Sequence, residues 1–514
     1  MSAPVRSAEL GMVHGPVPPP VSVFGKHWPG PLLPPSRRLL GVAAATGVGA
    51  AVAIPDGRDG VGWLVTGLLL VGAVLAIGWR PLRPPGELLP HRVAVVETAW
   101  MPVAVALSGV AAVRDAGWLV GFCMLAACAA GSLAVAGRSF RSVVRGAVAV
   151  PLGALRSPLW VGRGLRAMRR TTGGLRLVAS LLVGLGLLAV FGPLLASADP
   201  AFGEVLAGLV PTLDGGAVPG WVVRFGLGAA GVVGAGFLLA APPTAPPPPE
   251  RVSRLRTVEW GLPVGLLAGL FALYVATTLP SLFGLDAHVR DTSGLTYAEY
   301  ARSGFWQLLA VTVLSLLVIV LGSRWASPAA PLWTRGLLGA LAGLTLVIVA
   351  SALTRIWLYQ QVYGFTLLRL LVLTCELWLG AGFVMMLVSV LRLRPVRYAR
   401  GMLAAGIGAL LALAVLDPER FVAEHNVDRY AATGRIDVEY LSGLSADAVP
   451  ALQRLPEPLR SCALAPIAAR LGPVEEGGWR STNLSRAGAR ADLAAATIGT
   501  CRMASSGSSR ATDD

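Results

Sequence analysis

Residues 351–380 read SALTRIWLYQQVYGFTLLRLLVLTCELWLG, and their reading decides the fold: they lie in a stretch apolar enough to cross a bilayer, yet they carry Arg355, Arg369 and Glu376. A hydrocarbon layer of ~30 Å is crossed by about 20 helical residues, and lipid offers backbone groups no hydrogen-bonding partner, so such blocks must be helices. Two helices, 336–357 and 364–390, are expected here.

The rest of the chain agrees. Of its 514 residues 54% are hydrophobic and 14% charged, with a mean hydropathy of +0.66, whereas a soluble chain is about 25% charged. Apolar blocks fall at 39–55, 61–79, 93–112, 116–136, 177–196, 221–240, 259–281, 305–323, 336–357, 364–390 and 401–416. The expectation is an all-α polytopic transmembrane helix bundle, 38–416, with about eleven spans. A proline-rich leader, 1–37, with GPVPPP and PGPLLPP, reads as disordered and cytoplasmic. The stretch SRRLLGVAAATG at 36–47 has the look of a twin-arginine export signal, but the apolar blocks behind it favour a first membrane helix flanked by Arg37 and Arg38.

Arginine placement orients the bundle, since short cytoplasmic loops retain Lys and Arg. Loop 80–92 holds Arg80, Arg83 and Arg92; loop 137–176 holds Arg138, Arg141, Arg145, Arg156, Arg163, Arg166, Arg169, Arg170 and Arg176. Arg251, Arg254, Arg256, Arg324, Arg335, Arg392, Arg394, Arg397 and Arg400 lie in further loops of the same parity. The intervening loops hold Arg58, Arg114, Arg290 and Arg302, and 197–220 carries Asp199, Glu204 and Asp214 without a base. The N-terminus is therefore expected in the cytoplasm and the tail, 417–514, outside as a small helical cap. Segment 137–176, which lacks any acidic residue, is expected to lie flat on the inner leaflet, held over 138–170 by anionic lipid; an acidic cytoplasmic partner is the alternative. APPTAPPPPE at 241–250 reads as an extended linker.

Composition also excludes function classes. The net charge of +15 is spread between apolar blocks, not gathered on one basic face, so nucleic acid is not expected as a partner. Lys26 is the sole lysine and follows no phosphate-loop glycine run, which removes a Walker-type ATPase and Schiff-base chemistry. The five cysteines form no CxxC or Cys/His spacing, so neither metal nor cofactor is expected.

A charge near the centre of a spanning helix costs ~2.5–3.5 kcal/mol on insertion scales, so Glu376 is expected to face the bundle or a wet cavity. Thr366, Arg369, Glu376 and Gly380 share one stripe, and Ser351 and Arg355 share another. The bland reading has both arginines snorkelling to headgroups beside Trp357, Tyr359 and Tyr363, or locked to Glu376 in an ion pair. The functional reading adds Arg224 and the loop 283–307 with Glu299, making Arg224, Arg355, Arg369, Glu376 and Glu299 a candidate pocket for an anionic small molecule. In the tail, Ser445 and Asp447 read as a helix start, 483–498 as a second helix, and Cys462 with Cys501 as a candidate disulfide in an oxidising compartment.

The stretches LLASADPAFGEVL, SGLTYAEYARSGFWQLLAV, ASALTRIWLYQQVYGFTLLRL and VAEHNVDRYAATGRIDVEYLSGLSADAVPAL resemble a bacterial integral membrane family of unknown function, the domain of unknown function 4153/4173 group, from about residue 178 onward. The resemblance implies a polytopic protein of the bacterial cytoplasmic membrane and supplies no activity. Arg355, Tyr359, Tyr363, Gly364, Arg369, Glu299, Asn426, Asp437 and Tyr440 match its motif positions.

Three functions follow as expectations. A non-enzymatic protein that transports or binds an anionic ligand at an outward-facing polar pocket comes first. A sensor signalling through the arginine-rich cytoplasmic loop is the alternative. An enzyme acting on a lipid-linked substrate, with Asp286, His288, Asp291 or Glu299 as acid–base groups, comes last, since GxSxG and HExxH signatures are absent.

Overall fold

A computed structural model describes residues 30–78, 99–136, 143–171, 217–242, 257–282, 305–325, 332–391, 398–472 and 478–496, with 184, 187, 191, 195, 199, 499 and 501. Among them there is no strand. The helices are α1 (Arg37–Ala53), α2 (Val61–Gly78), α3 (Trp100–Val113), α4 (Gly117–Ala136), α5 (Val143–Ala147), α6 (Ala149–Arg156), α7 (Pro158–Thr171), α8 (Ala217–Ala240), α9 (Thr257–Leu282), α10 (Phe305–Trp325), α11 (Leu332–Tyr363), α12 (Leu367–Leu391) and α13 (Tyr398–Leu416). A C-terminal unit follows: α14 (Pro418–Thr433), α15 (Val438–Ser442), α16 (Val449–Leu452), α17 (Leu459–Leu471) and α18 (Leu484–Ala495).

Seven helices among the described residues are long and apolar enough to cross a membrane, and α3 and part of α10 are shorter apolar helices. The chain is thus a multi-pass membrane protein. The block 177–196 lies largely outside the described residues. One boundary differs from the sequence reading with consequence: α11 continues to Tyr363 instead of ending at 357, so Arg355 sits about 12 Å inside the helix rather than at its end.

Two groups of helices pack side by side. In the first, α8 lies against α1, α2 and α6. Small residues permit the approach of α1 and α8: a Cβ at Gly228 would stand 2.9 Å from Thr46 O and 3.3 Å from Gly47 Cα. In the second, α11 packs on α9, α10 and α12 around Trp260, Phe271, Ile319, Leu341 and Phe383. Helix α13 joins the two by resting on α4 as well as α12.

The ends of the bundle are chemically distinct. At one end the C-terminal unit covers the α1–α2 loop, the α3–α4 loop and the α11–α12 turn. At the other, α5, α6 and α7 form a collar. Ser132 of α4 donates to Gly146 O at 2.6 Å and accepts from Val150 N at 3.0 Å, and Trp160 of α7 donates to Leu33 O at 2.8 Å.

Candidate functional site

The α11–α12 hairpin carries the charges that break its apolar pattern. Glu376 is fully buried, and neither carboxyl oxygen has a hydrogen-bond partner. The expected ion pair to Arg355 or Arg369 is therefore not made through hydrogen bonds. Gln360 is buried with both amide atoms unpaired, and the buried Ser351 hydroxyl is unpaired as well. Thr312 and Ser315 of α10 are buried too, each donating its hydroxyl to a backbone carbonyl one turn back, Leu308 O at 2.9 Å and Val311 O at 2.6 Å.

Arg369 occupies the first turn of α12, donates Nη1 to Gly364 O at 2.6 Å and lays its guanidinium 4.4 Å from the centre of the Tyr359 ring. Tyr359 in turn stacks on Tyr363 at 4.7 Å. Arg369 thus closes the C-terminus of α11, where carbonyls lack intrahelical donors. Gly364 makes the turn at φ +85°, left-handed backbone that an L side chain resists, and an added Cβ would also press on Asn426 Oδ1 and stand 3.1 Å from Arg429 Nη2.

Among the described residues, Asn426 and Tyr440, two of the motif positions of the family resemblance, bond to this turn. Asn426 Nδ2 donates to Phe365 O at 2.8 Å and to its own Val422 O at 2.8 Å. Leu367 N–H, at the start of α12, donates to the Tyr440 hydroxyl at 2.8 Å, and Asp437 caps α15 by accepting from Tyr440 N at 2.9 Å. Burial raises the Tyr440 phenol above its ordinary value. Sequence spacing alone could not show that these residues meet, because they span the turn and two helices of the tail.

Arg224 belongs elsewhere. It is buried in the first turns of α8, ion-paired to Asp56 and donating Nη1 to Ile54 O at 3.0 Å, while Arg480 reaches the same Asp56 at 3.5 Å. Helix α8 packs in the first helix group, so the structure does not bring Arg224 to Arg355 and Arg369. An acid in the neighbouring α1–α2 loop pairs with it there. Glu299, with Asp286, His288 and Asp291, lies outside the described residues. Cys462 and Cys501 are joined by a disulfide spanning 39 residues.

The residues that sequence reading missed form the clamp between tail and bundle. Arg486 is 1% exposed, pairs with Asp115 at 2.6 Å, and donates to Asp59 O at 2.6 Å and to Ser481 O. Asp447 accepts from Asp115 N and Ala116 N, each at 3.0 Å, capping the start of α4. Arg114 pairs with Asp417 at 2.5 Å and donates to Ala414 O at 2.7 Å, closing the end of α13. Glu419 accepts from Trp118 Nε1 at 3.2 Å and from Ser445 N. Burial, then the nearby Asp447, pushes Asp417 up to about 6; burial also raises Glu419 and Asp447. Among the described residues no cluster of His, Cys, Asp and Glu fits a metal ion.

No curated protein and no solved structure matches this chain. The family model described as Domain of unknown function (DUF4153) matches residues 102–455, starting earlier than 178 and stopping within the C-terminal unit. Because that match covers more than half of the chain, from α3 through the hairpin turn and its Asn426 and Tyr440 contacts, this protein belongs to the DUF4153 family.

Proposed function

We propose that this protein resides in the bacterial cytoplasmic membrane with about eleven spans, its N-terminus in the cytoplasm and the unit 417–514 capping the outer face. Its role on this reading is non-enzymatic: binding, and moving, a small anionic ligand through an outward-facing polar pocket on α11 and α12. The alternation of arginine-rich and arginine-poor loops supports the orientation.

One observation carries the ligand reading. Ser351, Gln360 and Glu376 are buried in one hairpin with side-chain oxygens and nitrogens that no protein group satisfies. Each unsatisfied buried polar group costs ~1–3 kcal/mol, a cost that a membrane helix carries where a ligand or ion passes. Arg355 and Arg369 supply positive charge toward the capped end. An anion beside Glu376 requires that carboxyl to hold its proton, so each anion would be accompanied by a proton.

Reconstituted liposomes test this, with inorganic phosphate and a series of small carboxylates as probes. Anion accumulation driven by an inward proton gradient is expected, with Arg369→Gln impairing it and Glu376→Gln uncoupling it from the gradient. Absence of uptake and of thermal stabilisation by every anion in the series would refute the reading, and a reporter fused after residue 416 that proves cytosolic would refute the orientation.

A second reading, a sensor, draws support from the clamping of the α1–α2 loop, the α3–α4 loop and the α11–α12 turn by one C-terminal unit. A protein that crosslinks to 143–171 only when the outer unit is perturbed would favour it.

A further inference from the structure

The collar at the end opposite the C-terminal unit has no part in the ligand reading, yet it is built for a specific chemistry. Leu155 is 77% exposed, and Leu32, on the chain entering α1, is 89% exposed. Large leucines presented this way beside helices that cross a membrane are placed for hydrocarbon, since in water they would form an aggregation-prone patch. Helix α7, PLWVGRGLRAMRRT, sets arginines on the other side of its apolar stripe, the pattern of a helix lying in the plane of a bilayer surface.

Between the segment 30–36 and the ends of α2 and α8 runs a groove of about 660 Å³, lined by Leu33, Leu39, Ile77, Trp160 and Leu239, with Arg38 at its edge. Its floor is fixed. Trp160 is buried, packs edge-on against Phe237 at 5.6 Å and holds Leu33 O. Arg163 ties the strap down by donating Nη2 to Pro31 O at 3.0 Å. No Asp or Glu occurs between residues 138 and 198 of the chain.

We propose that this groove holds one anionic phospholipid, an acyl chain lying beneath the strap 30–36 and the headgroup phosphate meeting Arg38. An apolar slot with a guanidinium at its edge suits a molecule with a hydrocarbon chain and a phosphate at its head, and basic pockets between spanning helices hold anionic lipids in this way. A protein segment would need acidic and apolar residues alternating at a membrane surface.

Native mass spectrometry of the full chain tests the assignment, using phosphatidylglycerol and phosphatidylcholine of identical chains as probes and glycerol 3-phosphate as the headgroup alone. Retention of phosphatidylglycerol over phosphatidylcholine is expected. Arg38→Gln should weaken it about fivefold. Ala240→Trp, at an exposed position lining the groove, should abolish retention while α1–α8 packing and melting stay unchanged. Equal retention of the two lipids, unaltered retention by Arg38→Gln, or displacement of the lipid by glycerol 3-phosphate alone would overturn the proposal. None of these readouts depends on which end of the bundle faces the cytoplasm, so failure here leaves the ligand reading and its orientation untouched.

Discussion

Replacing Arg486 by methionine should loosen the C-terminal unit from the bundle. The guanidinium is 1% exposed and binds three groups at once: Asp115 Oδ1 at 2.6 Å, Asp59 O at 2.6 Å and Ser481 O. Methionine keeps the apolar stem, so the perturbation is the lost charge and its hydrogen bonds, not a cavity. Removing one partner of a buried ion pair costs ~3–5 kcal/mol, and the stranded carbonyls add to the same desolvation penalty, so about 4 kcal/mol is expected. That is roughly a thousandfold shift between docked and undocked tail.

The amides of Asp115 and Ala116 report docking directly, because both donate to Asp447 of the tail. In Arg486→Met their hydrogen exchange should accelerate by about two to three orders of magnitude, and trypsin should cut faster at Arg470 and Arg490. Asp115→Asn alone should cost less, and the double variant should cost clearly less than the sum of the two changes, since they share one interaction. Unchanged exchange at 115–116 together with unchanged tryptic rates would show that the pair does not hold the unit, and the clamp would have to be abandoned.

Other perturbations test other contacts. Gly364→Ala should destabilise by ~1–3 kcal/mol through the φ of +85° and the crowding on Asn426, read as a lower melting temperature; an unchanged value would contradict the turn geometry. Asp417 titrates at about 6 when folded against an ordinary 3.8, so between those values the folded state holds the extra proton and stability falls as pH rises. Glu419 and Asp447 are raised as well and act in the same direction. Melting should therefore decline from pH 4 toward pH 6, with Asp417→Asn flattening the slope; a rise over that interval would reverse the assignment. Opening the Cys462–Cys501 disulfide, which closes a 39-residue separation, should cost ~4 kcal/mol of tail stability, measured by proteolysis with and without reductant.

The spanning helices were legible because lipid imposes one requirement on every block, long and apolar, and that requirement survives without knowledge of neighbours. Glu376 was legible for the same reason: a carboxylate in LLVLTCELWLG has nothing around it to be mistaken for. Gln360 was not, because among Trp357, Tyr359 and Tyr363 it reads as part of an interfacial belt, and only the continuation of α11 to Tyr363 puts it inside the helix. The ion pair of Arg224 was not legible, because its partner, Asp56, lies in a loop that sequence order does not bring near α8. In the tail, Ser445 and Asp447 were read as a local helix start, and Ser445 does accept from Asp447 N at 3.3 Å. The Asp447 carboxylate, however, also serves α4, a partner that no local signal names.

The contacts of the C-terminal unit share one logic. Every helix end leaves backbone groups unpaired, and the tail supplies partners to ends from both helix groups: Asp447 to the start of α4, Tyr440 to the start of α12 and Asn426 to the turn after α11. The joint to α4 is charge-assisted and reinforced by Arg486, whereas Leu367 is held by a single neutral hydrogen bond, worth about 1 kcal/mol. On the ligand reading, a movement of α12 that opens Glu376 to the capped end therefore parts Tyr440 from Leu367 first, while α3, α4 and the tail remain one body. Tyr440→Phe should accordingly raise exchange at Leu367 without raising it at Asp115 and Ala116. Loss of protection at all three amides would mean that the tail and both helix groups open together, and the hairpin could not move alone.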